Sequence, residues 1–333
     1  MAGPGIRCWE LSRALADAAE VTLFTPAESD MRPEDFRLVT YSEKSLAAAA
    51  AGCDVILCQG FILNNHPELN KAGRFFIIDL YVPMTLEALA QYEDRPLAEQ
   101  NNVQTHIARA IVEQMEAGHF FICASERQRD YWLGWLSATG RMTADAYSED
   151  SGLRTLIDVV PFGLPSDPPA ATARMLKGVH PAIGEDDRVA LWGGGIYNWL
   201  DPFTPIRAMA ELAKRRPEVK LFFMGARHPD PGVPKMRAYD DAVDLSRELG
   251  LLDRNVIFND QWVRYEDRVN YLLEADVGVS ANFPQVETRF SFRTPSLDCN
   301  RASLPGAATD GDYPSELVEI GRARETSEAT LAA

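Results

Sequence analysis

Two glycine-rich segments stand where a backbone could bind an anionic ligand. Gly3 and Gly5 precede a helical pattern, and Gly194 and Gly195 follow a strand-like run that ends at Trp192. Glycine lets the backbone approach a ligand closely, and the free N–H groups at a helix start attract anions or sugar hydroxyls. A turn after a first parallel strand commonly faces a ligand phosphate. The alternatives are an ordinary helix start for the first segment and a plain loop for the second.

Charged side chains follow several strand-like runs. Asp79 ends the run FFII, Arg227 follows FFMG, and Glu287 lies between a strand and a probable helix. Because ligands of open α/β sheets bind outside the carboxyl ends of the strands, these side chains are candidates for ligand contact. A guanidinium there can neutralise a diphosphate, and a carboxylate can accept hydrogen bonds from sugar hydroxyls. The alternatives are a solvent-facing Arg227 and an Arg–Glu pair in a capped loop around Glu287.

The cysteines and histidines show no spacing that is typical of a metal or redox site. The cysteines form no C-x-x-C pair and no cluster with histidine; they are Cys8, Cys53, Cys58, Cys123 and Cys299. The histidines are scattered, and none stands in a Ser/His/Asp pattern. We therefore predict buried thiols in a reducing cytoplasm and no metal site.

Composition narrows the class of protein. The chain has 333 residues, of which 46% are hydrophobic and 25% are charged, as in folded proteins. Its formal charge of −16 is spread along the sequence and repels phosphate backbones, which argues against general nucleic-acid binding. No apolar stretch approaches the roughly 18 residues that cross a bilayer. We expect a cytoplasmic protein with no membrane span.

Short apolar runs alternate with helix-length amphipathic stretches along the whole chain. The predicted strands are Val21–Thr25, Asp54–Cys58, Phe75–Leu80, His119–Ser125, Ile157–Pro161, Val189–Trp192, Val219–Met224, Val256–Asn259 and Val277–Ser280. The predicted helices are Ile6–Ala19, Leu86–Tyr92, Leu97–Ala117, Glu126–Ser137, Pro205–Arg216, Met236–Leu249 and Tyr265–Glu274. This alternation predicts parallel sheets of βαβ units in two series, and therefore two Rossmann-like domains.

Proline and glycine are dense in one stretch, which places the domain boundary. We predict an N-terminal domain over 1–160, a linker over 161–187 and a C-terminal domain over 188–333. A glycine-rich turn normally follows the first, central strand of such a domain, and no strand precedes Gly3. Beyond Asp312 only one weak helix, Glu316–Arg324, is predicted. We therefore expect that the first strand and the C-terminal end are missing from this chain.

An ordered set of motifs resembles glycosyltransferase family 4 of the GT-B enzymes. GPGIRCWELSRAL with EVTLFTP resembles the family's glycine loop, first helix and second strand, and VVPFGLP is similar to its interdomain linker. ALWGGGIYNWLDP resembles the start of its donor domain. NVIFNDQWV, YLLEADVGVSANF, ETRFSFRT and ATDGD resemble its donor-site strands and loops in the expected order. The resemblance covers residues 1 to about 318.

The resemblance implies two domains that face each other across a cleft, and a retaining transfer of a sugar from a nucleoside diphosphate sugar. It implies no obligatory metal and no cofactor besides that donor substrate. The donor diphosphate is expected near Gly194, Gly195 and Arg227. Glu287 and Asp298 are the natural counterparts of the family's glutamate pair, with ten residues between them. Glu287 is then a catalytic candidate, and Asp298 a donor-binding one.

The first domain is expected to hold the acceptor, which the resemblance leaves open as a glycan, a lipid-linked molecule or a small molecule. Gly3 and Gly5 would form the acceptor-side loop, and Asp79 would be a second catalytic candidate beside it. Two other functions stay open at this point. One is a truncated, inactive relative that keeps the fold without turnover, and the other is a nucleotide-sugar epimerase on the same architecture.

Overall fold

A computed structural model describes residues 3–29, 31–165, 167–225 and 236–312. Contacts between Cα atoms divide the chain into two compact units, Ala2–Gly163 and Leu164–Ala333, called here the N-unit and the C-unit. Both contain parallel strands joined by helices. None of the helices within the described ranges is both long and apolar enough to cross a membrane.

The N-unit begins with a helix and continues as alternating strands and helices. Its strands are β1 (Thr22–Thr25), β2 (Arg37–Thr40), β3 (Val55–Gln59), β4 (Phe75–Asp79), β5 (Phe120–Cys123) and β6 (Ile157–Val159). Its helices are α1 (Gly3–Ala16), α2 (Glu43–Gly52), α3 (Ile62–Asn65), α4 (Met84–Gln91), α5 (Leu97–Ala117), α6 (Glu126–Ala138) and α7 (Ala144–Glu149), with a 3₁₀ helix at Pro67–Ala72.

The strands of the N-unit form two separate parallel sheets. One has the order β3-β4-β5-β6, and the other consists of β1 paired with β2. Both sheets contribute to one apolar core, because Phe24 of β1 packs against the cluster that contains Phe76, Ile78 and Phe121. Among the residues that the structure describes, β3 and β6 are the edge strands of the larger sheet, and β1 and β2 pair only with each other. The expectation that the first strand is missing from this chain stays a prediction.

Helix α1 starts earlier than the sequence predicted. Gly3 and Gly5 lie in its first turn rather than in a loop before it. The physical reason is Pro4, whose fixed φ suits a first helical turn and whose missing N–H has no helical partner to lose there. The prediction of an acceptor-side loop at Gly3 and Gly5 is therefore corrected to a helix N-terminus.

The C-unit contains one five-stranded parallel sheet. Its strands are β7 (Arg188–Trp192), β8 (Val219–Phe223), β9 (Val256–Phe258), β10 (Val277–Ser280) and β11 (Gly306–Ala308). Its helices are α8 (Phe203–Leu212), α9 (Arg237–Glu248), α10 (Arg268–Glu274), α11 (Val286–Phe290) and α12 (Thr294–Arg301). The order β11-β10-β7-β8-β9 places the first strand, β7, in the middle. The direction of winding reverses between β7 and β10.

The two faces of this sheet are buried in different cores. Along β7, Ala190 and Trp192 belong to one apolar cluster, whereas Val189 and Leu191 belong to the other. Successive side chains of a strand point to opposite faces, so a strand covered on both sides reads as a continuous apolar run. This is why the run VALW predicted a buried parallel strand.

Part of the predicted linker 161–187 packs within the C-unit. Leu176 and Ile183 are buried in the same cluster as Val189. The proline and glycine residues interrupt regular structure there, but the apolar side chains between them still cover the sheet. Arg227 and the predicted helix Glu316–Arg324 lie outside the described residues.

Candidate functional site

The candidate site lies at the carboxyl edge of the C-unit sheet, where β7 and β10 are neighbours. The segments that follow these strands are joined directly: Leu200 bridges Asn282, and Asp201 N–H donates to the Ala281 carbonyl at 3.0 Å. A parallel sheet binds ligands where its strand order reverses, because the loops of the two strands diverge there and leave a crevice. The glycine loop Gly193–Gly195 follows β7 at this point.

Side chains of the chain itself explain why the loop needs glycine at two positions. A Cβ on Gly195 would lie 2.8 Å from Cε2 of Tyr197, whose ring stacks on Trp199 at 4.8 Å. A Cβ on Gly194 would lie 3.2 Å from Cγ of Pro295, at the start of α12. A side chain at Gly195 would therefore require Tyr197 to move, and one at Gly194 would crowd Pro295.

Arg268 of α10 joins the glycine loop to α12. Its Nη2 donates to the Gly193 carbonyl at 3.1 Å and to Asp298 Oδ2 at 2.5 Å. Its side chain is 10% exposed and that of Asp298 is 20% exposed. Burial raises the pKa of Asp298, and the charges of Arg268 and Arg301 oppose that rise.

Glu287 lies in a second ion pair, after β10. Arg293 Nη2 donates to Glu287 Oε2 at 2.6 Å, and Arg293 Nε donates to Asn282 Oδ1 at 3.0 Å. The Glu287 side chain is 2% exposed, and burial raises its pKa while Arg293 lowers it. The alternative of an Arg–Glu pair is therefore confirmed at this position. Gln285 binds the Trp199 carbonyl at 3.1 Å and ties this segment to the loop after β7.

Asp79 lies in the N-unit in a fully buried polar network. Arg7 Nε donates to Asp79 Oδ2 at 2.7 Å, and both side chains have 0% exposure. Gln59 Nε2 donates to the same oxygen at 2.8 Å, and Arg7 Nη1 donates to the carbonyls of Val160 and Pro161 at 2.9 and 3.2 Å. Burial raises the pKa of Asp79, and Arg7 opposes the rise. The carboxylate is at the carboxyl edge of its sheet, as predicted, but it faces protein rather than solvent.

The structure groups the predicted residues by unit. Gly194, Gly195, Asp298 and Glu287 converge on the β7–β10 edge of the C-unit, whereas Asp79 lies near α1 in the N-unit. Within the described ranges, no three His, Cys, Asp or Glu side chains are grouped to hold a metal ion.

Sequence reasoning missed the arginines that pair with Asp79 and Asp298, and for Glu287 it offered an Arg–Glu pair without naming the arginine. The partners are Arg7, Arg268 and Arg293. Arg268 stands 75 positions from the Gly193 carbonyl that it binds, so no local pattern could have found it. A signal did exist for Arg7, because a carboxylate that ends an apolar strand needs a nearby positive charge.

A cavity of about 630 Å³ opens elsewhere, at the amino ends of β4 and β5. Its polar lining includes Arg74, Glu113 and His119, and none of the predicted site residues takes part. Open α/β sheets bind ligands at the opposite, carboxyl edge. We therefore place the candidate site at the β7–β10 edge.

No family model matches the chain, and no curated protein matches it. Solved structures do. A trehalose-6-phosphate structure from E. coli bound with UDP-2-fluoro glucose is 12% identical with a TM-score of 0.53, covering 90% of this chain and 80% of that one. A trehalose-6-phosphate synthase studied with bisubstrate glycomimetics is 13% identical with a TM-score of 0.51, covering 92% and 81%.

Several other neighbours are matched over less than two thirds of their own length. A UDP-forming α,α-trehalose-phosphate synthase from Burkholderia vietnamiensis is 13% identical with a TM-score of 0.51, covering 80% of this chain and 59% of that one. The C-terminal domain of a group 1 glycosyl transferase from Francisella tularensis is 19% identical with a TM-score of 0.30, covering 38% of this chain and 58% of that one. At these identities the likeness concerns the fold. The chain has the α/β architecture of Rossmann-like GT-B glycosyltransferases.

Proposed function

We propose that this chain is a retaining glycosyltransferase of the family 4 type that binds a nucleoside diphosphate sugar at the carboxyl edge of the C-unit sheet. The observation that carries the proposal is the convergence of the glycine loop, Asp298 and Glu287 where the sheet reverses its strand order. The fold of the solved neighbours is in keeping with it, and one of them is bound with UDP-2-fluoro glucose.

The chemistry asks the site to stabilise a leaving diphosphate. The bond from the anomeric carbon to the diphosphate breaks, the acceptor oxygen forms a new bond on the same face of the sugar, and its proton is released. Negative charge grows on the departing phosphate, and preorganised N–H donors stabilise it without reorganising. In the proposal, the backbone N–H groups of Gly194 and Gly195 take that role, and Arg227 adds a positive charge.

In this proposal the two carboxylates bind the uncharged sugar and ribose groups of the donor. Glu287 would accept hydrogen bonds from sugar hydroxyls, and Asp298 would accept them from the nucleotide ribose, as the resemblance implies. The acceptor, a glycan, a lipid-linked molecule or a small molecule, would bind the N-unit near the start of α1. We place the reaction in the cytoplasm, without metal, other cofactor or nucleic acid.

One observation favours a second function, a protein that keeps the fold and binds without turnover. Pro295 packs against the position of a Cβ on Gly194 at 3.2 Å, and Arg293 holds one oxygen of Glu287. If these contacts persist in the presence of a donor, Glu287 does not reach the sugar.

A panel of sugar nucleotides tests the proposal. The full chain is melted with UDP-, GDP- and dTDP-sugars at 1 mM, and the ligand that raises Tm is then incubated with candidate acceptors. Retained configuration of the new bond, read from the anomeric proton by NMR, supports the proposal. The matched control for a Glu287→Gln variant is Glu274→Gln, because Glu274 lies in the same unit and, among the described residues, accepts hydrogen bonds only from the backbone N–H groups of Met175, Leu176 and Lys177.

The outcomes separate the candidate functions. A Tm shift with transfer to an acceptor supports the transferase, and a Tm shift with no product supports the binding protein. Conversion of the donor sugar without any acceptor would identify an epimerase. No shift with any donor contradicts nucleotide-sugar binding at this site.

A further inference from the structure

Arg268 contacts two groups that are distant in sequence and adjacent at the candidate site. One nitrogen, Nη2, donates to the Gly193 carbonyl and to Asp298 Oδ2. The residue is 9% exposed, so these acceptors replace much of the water that would otherwise solvate its charge. If a buried guanidinium loses an acceptor, its charge stays desolvated without compensation. Breaking either hydrogen bond is therefore costly, and both acceptors are held in place. Arg268 therefore fixes the direction of the Gly193 carbonyl.

The direction of that carbonyl determines the direction of the next N–H. The described chain has no cis peptide bonds, and a trans peptide is planar, so the Gly193 carbonyl and the Gly194 N–H point in opposite directions. Because the carbonyl points to Arg268, the Gly194 N–H points away from α10. Within the described part of the chain, this N–H has no partner, and Gly194 is partly exposed. It is a donor available to a ligand.

We propose that Arg268 is a positioning residue that aims the Gly194 N–H at a phosphate group of the nucleotide ligand. The inference rests on the proposed function, since it assigns the anion to a nucleoside diphosphate. An N–H that donates to a charged oxygen forms a stronger hydrogen bond than one between neutral groups. Arg268 does not touch the ligand in this arrangement; it acts through the peptide that it holds.

Asp298 has a separate part in the arrangement. It neutralises Arg268, but the carbonyl contact is made by Arg268 alone. Loss of the Asp298 charge should therefore leave the peptide in place, whereas loss of the guanidinium should release it. This difference separates positioning of the loop from a general effect of breaking the ion pair.

The test uses the full chain labelled with ¹⁵N-glycine and inorganic pyrophosphate as a probe that lacks base and sugar. The variants are R268M, R268K and D298N. R264M is the matched control, because Arg264 lies four positions earlier, is 55% exposed and pairs with Glu266. The Gly194 amide signal is assigned from its loss in G194A. Pyrophosphate affinity is measured by following that signal.

The expected results differ between variants. Pyrophosphate shifts the Gly194 amide signal downfield in the wild-type protein, and its Kd rises about tenfold or more in R268M, the size of one lost charged hydrogen bond. R268K recovers part of the affinity, and R264M equals wild type. Unchanged affinity in R268M, or a Gly194 signal that saturating pyrophosphate leaves in place, overturns the proposal.

Spectra without ligand keep this test apart from the proposed function. In the ligand-free protein, R268K should displace the Gly194 signal, whereas D298N should leave it near its wild-type position. Equal displacement in both variants overturns the positioning role even if the protein binds sugar nucleotides. Displacement in R268K alone supports it, including where R268M does not fold. Failure of every sugar nucleotide to bind wild type removes the proposed function instead.

Discussion

Replacement of Arg7 by methionine should destabilise the N-unit strongly and in a pH-dependent way. Both Arg7 and Asp79 have fully buried side chains, and Nη1 of Arg7 also binds the Val160 and Pro161 carbonyls. Removal of one partner from a buried ion pair costs about 3–5 kcal/mol, because the other charge stays desolvated. For a domain of this size, each kcal/mol corresponds to about 2–4 °C in Tm, so we expect a fall of about 6–20 °C.

The sign of the pH dependence follows from Asp79. Burial raises its pKa, and Arg7 opposes that rise, so R7M should raise the pKa further. A raised folded-state pKa means that the native state holds the proton more tightly than the unfolded state. The stability of R7M should therefore be greatest at low pH and decrease as pH rises through the folded-state pKa. The difference in Tm from wild type should be smaller at pH 5.5 than at pH 8.

Differential scanning calorimetry at the two pH values measures this difference. The control is R37M, because Arg37 is 71% exposed and its contact with Glu20 is 3.9 Å long; its Tm should change by no more than about 2 °C. The double variant R7M/D79L should recover part of the loss, since an apolar pair needs no counter-charge. A fall in R7M below about 2 °C, or an equal difference at both pH values, refutes the reasoning.

Three further predictions concern other parts of the chain. Gly195→Ala should lower the free energy of unfolding by about 1–3 kcal/mol, measured by thermal unfolding, because its Cβ would lie 2.8 Å from Tyr197. The decrease should be smaller in a Tyr197→Ala background, and an equal decrease in both backgrounds contradicts the packing argument. Glu287→Gln should lower product formation about 10²-fold or more at saturating donor if its carboxylate binds the sugar, and wild-type turnover would remove it from that role. Burial raises the pKa of Cys58 and Cys123 to about 12, so both should resist iodoacetamide at pH 8 until denaturant is added, as mass spectrometry of the native protein would show.

Strands with continuous apolar runs were predictable, and short strands with mixed sequences were not. Val277–Ser280 was predicted with the bounds that the structure has, because the apolar run begins directly after the charged Asp276 and ends at the polar Ser280. Arg37–Thr40 and Gly306–Ala308 were missed. All three residues of Gly306–Ala308 are exposed, so its strand conformation comes from pairing with β10 and not from a pattern in its own sequence.

The site was predictable in position but not in its contacts. All strands of a parallel sheet end at the same edge. A glycine turn after one strand and a carboxylate after another are therefore expected at that carboxyl edge. Which arginine each carboxylate meets depends on how helices pack on the sheet. Arg293 stands six positions from Glu287 and lay within reach of a local argument, which offered an Arg–Glu pair. Arg268 did not.

The three carboxylates that the sequence singled out share one environment and differ in exposure. Each pairs with an arginine, but the Asp79 side chain is 0% exposed, that of Glu287 2% and that of Asp298 20%. A ligand can replace a protein partner only where it reaches the pair, since opening a sealed pair first costs its full desolvation. By that criterion Asp298 exchanges contacts most readily and Asp79 least. Asp79 is therefore better placed as the counter-charge that anchors α1 through Arg7, and catalysis in the N-unit would have to come from groups that solvent reaches.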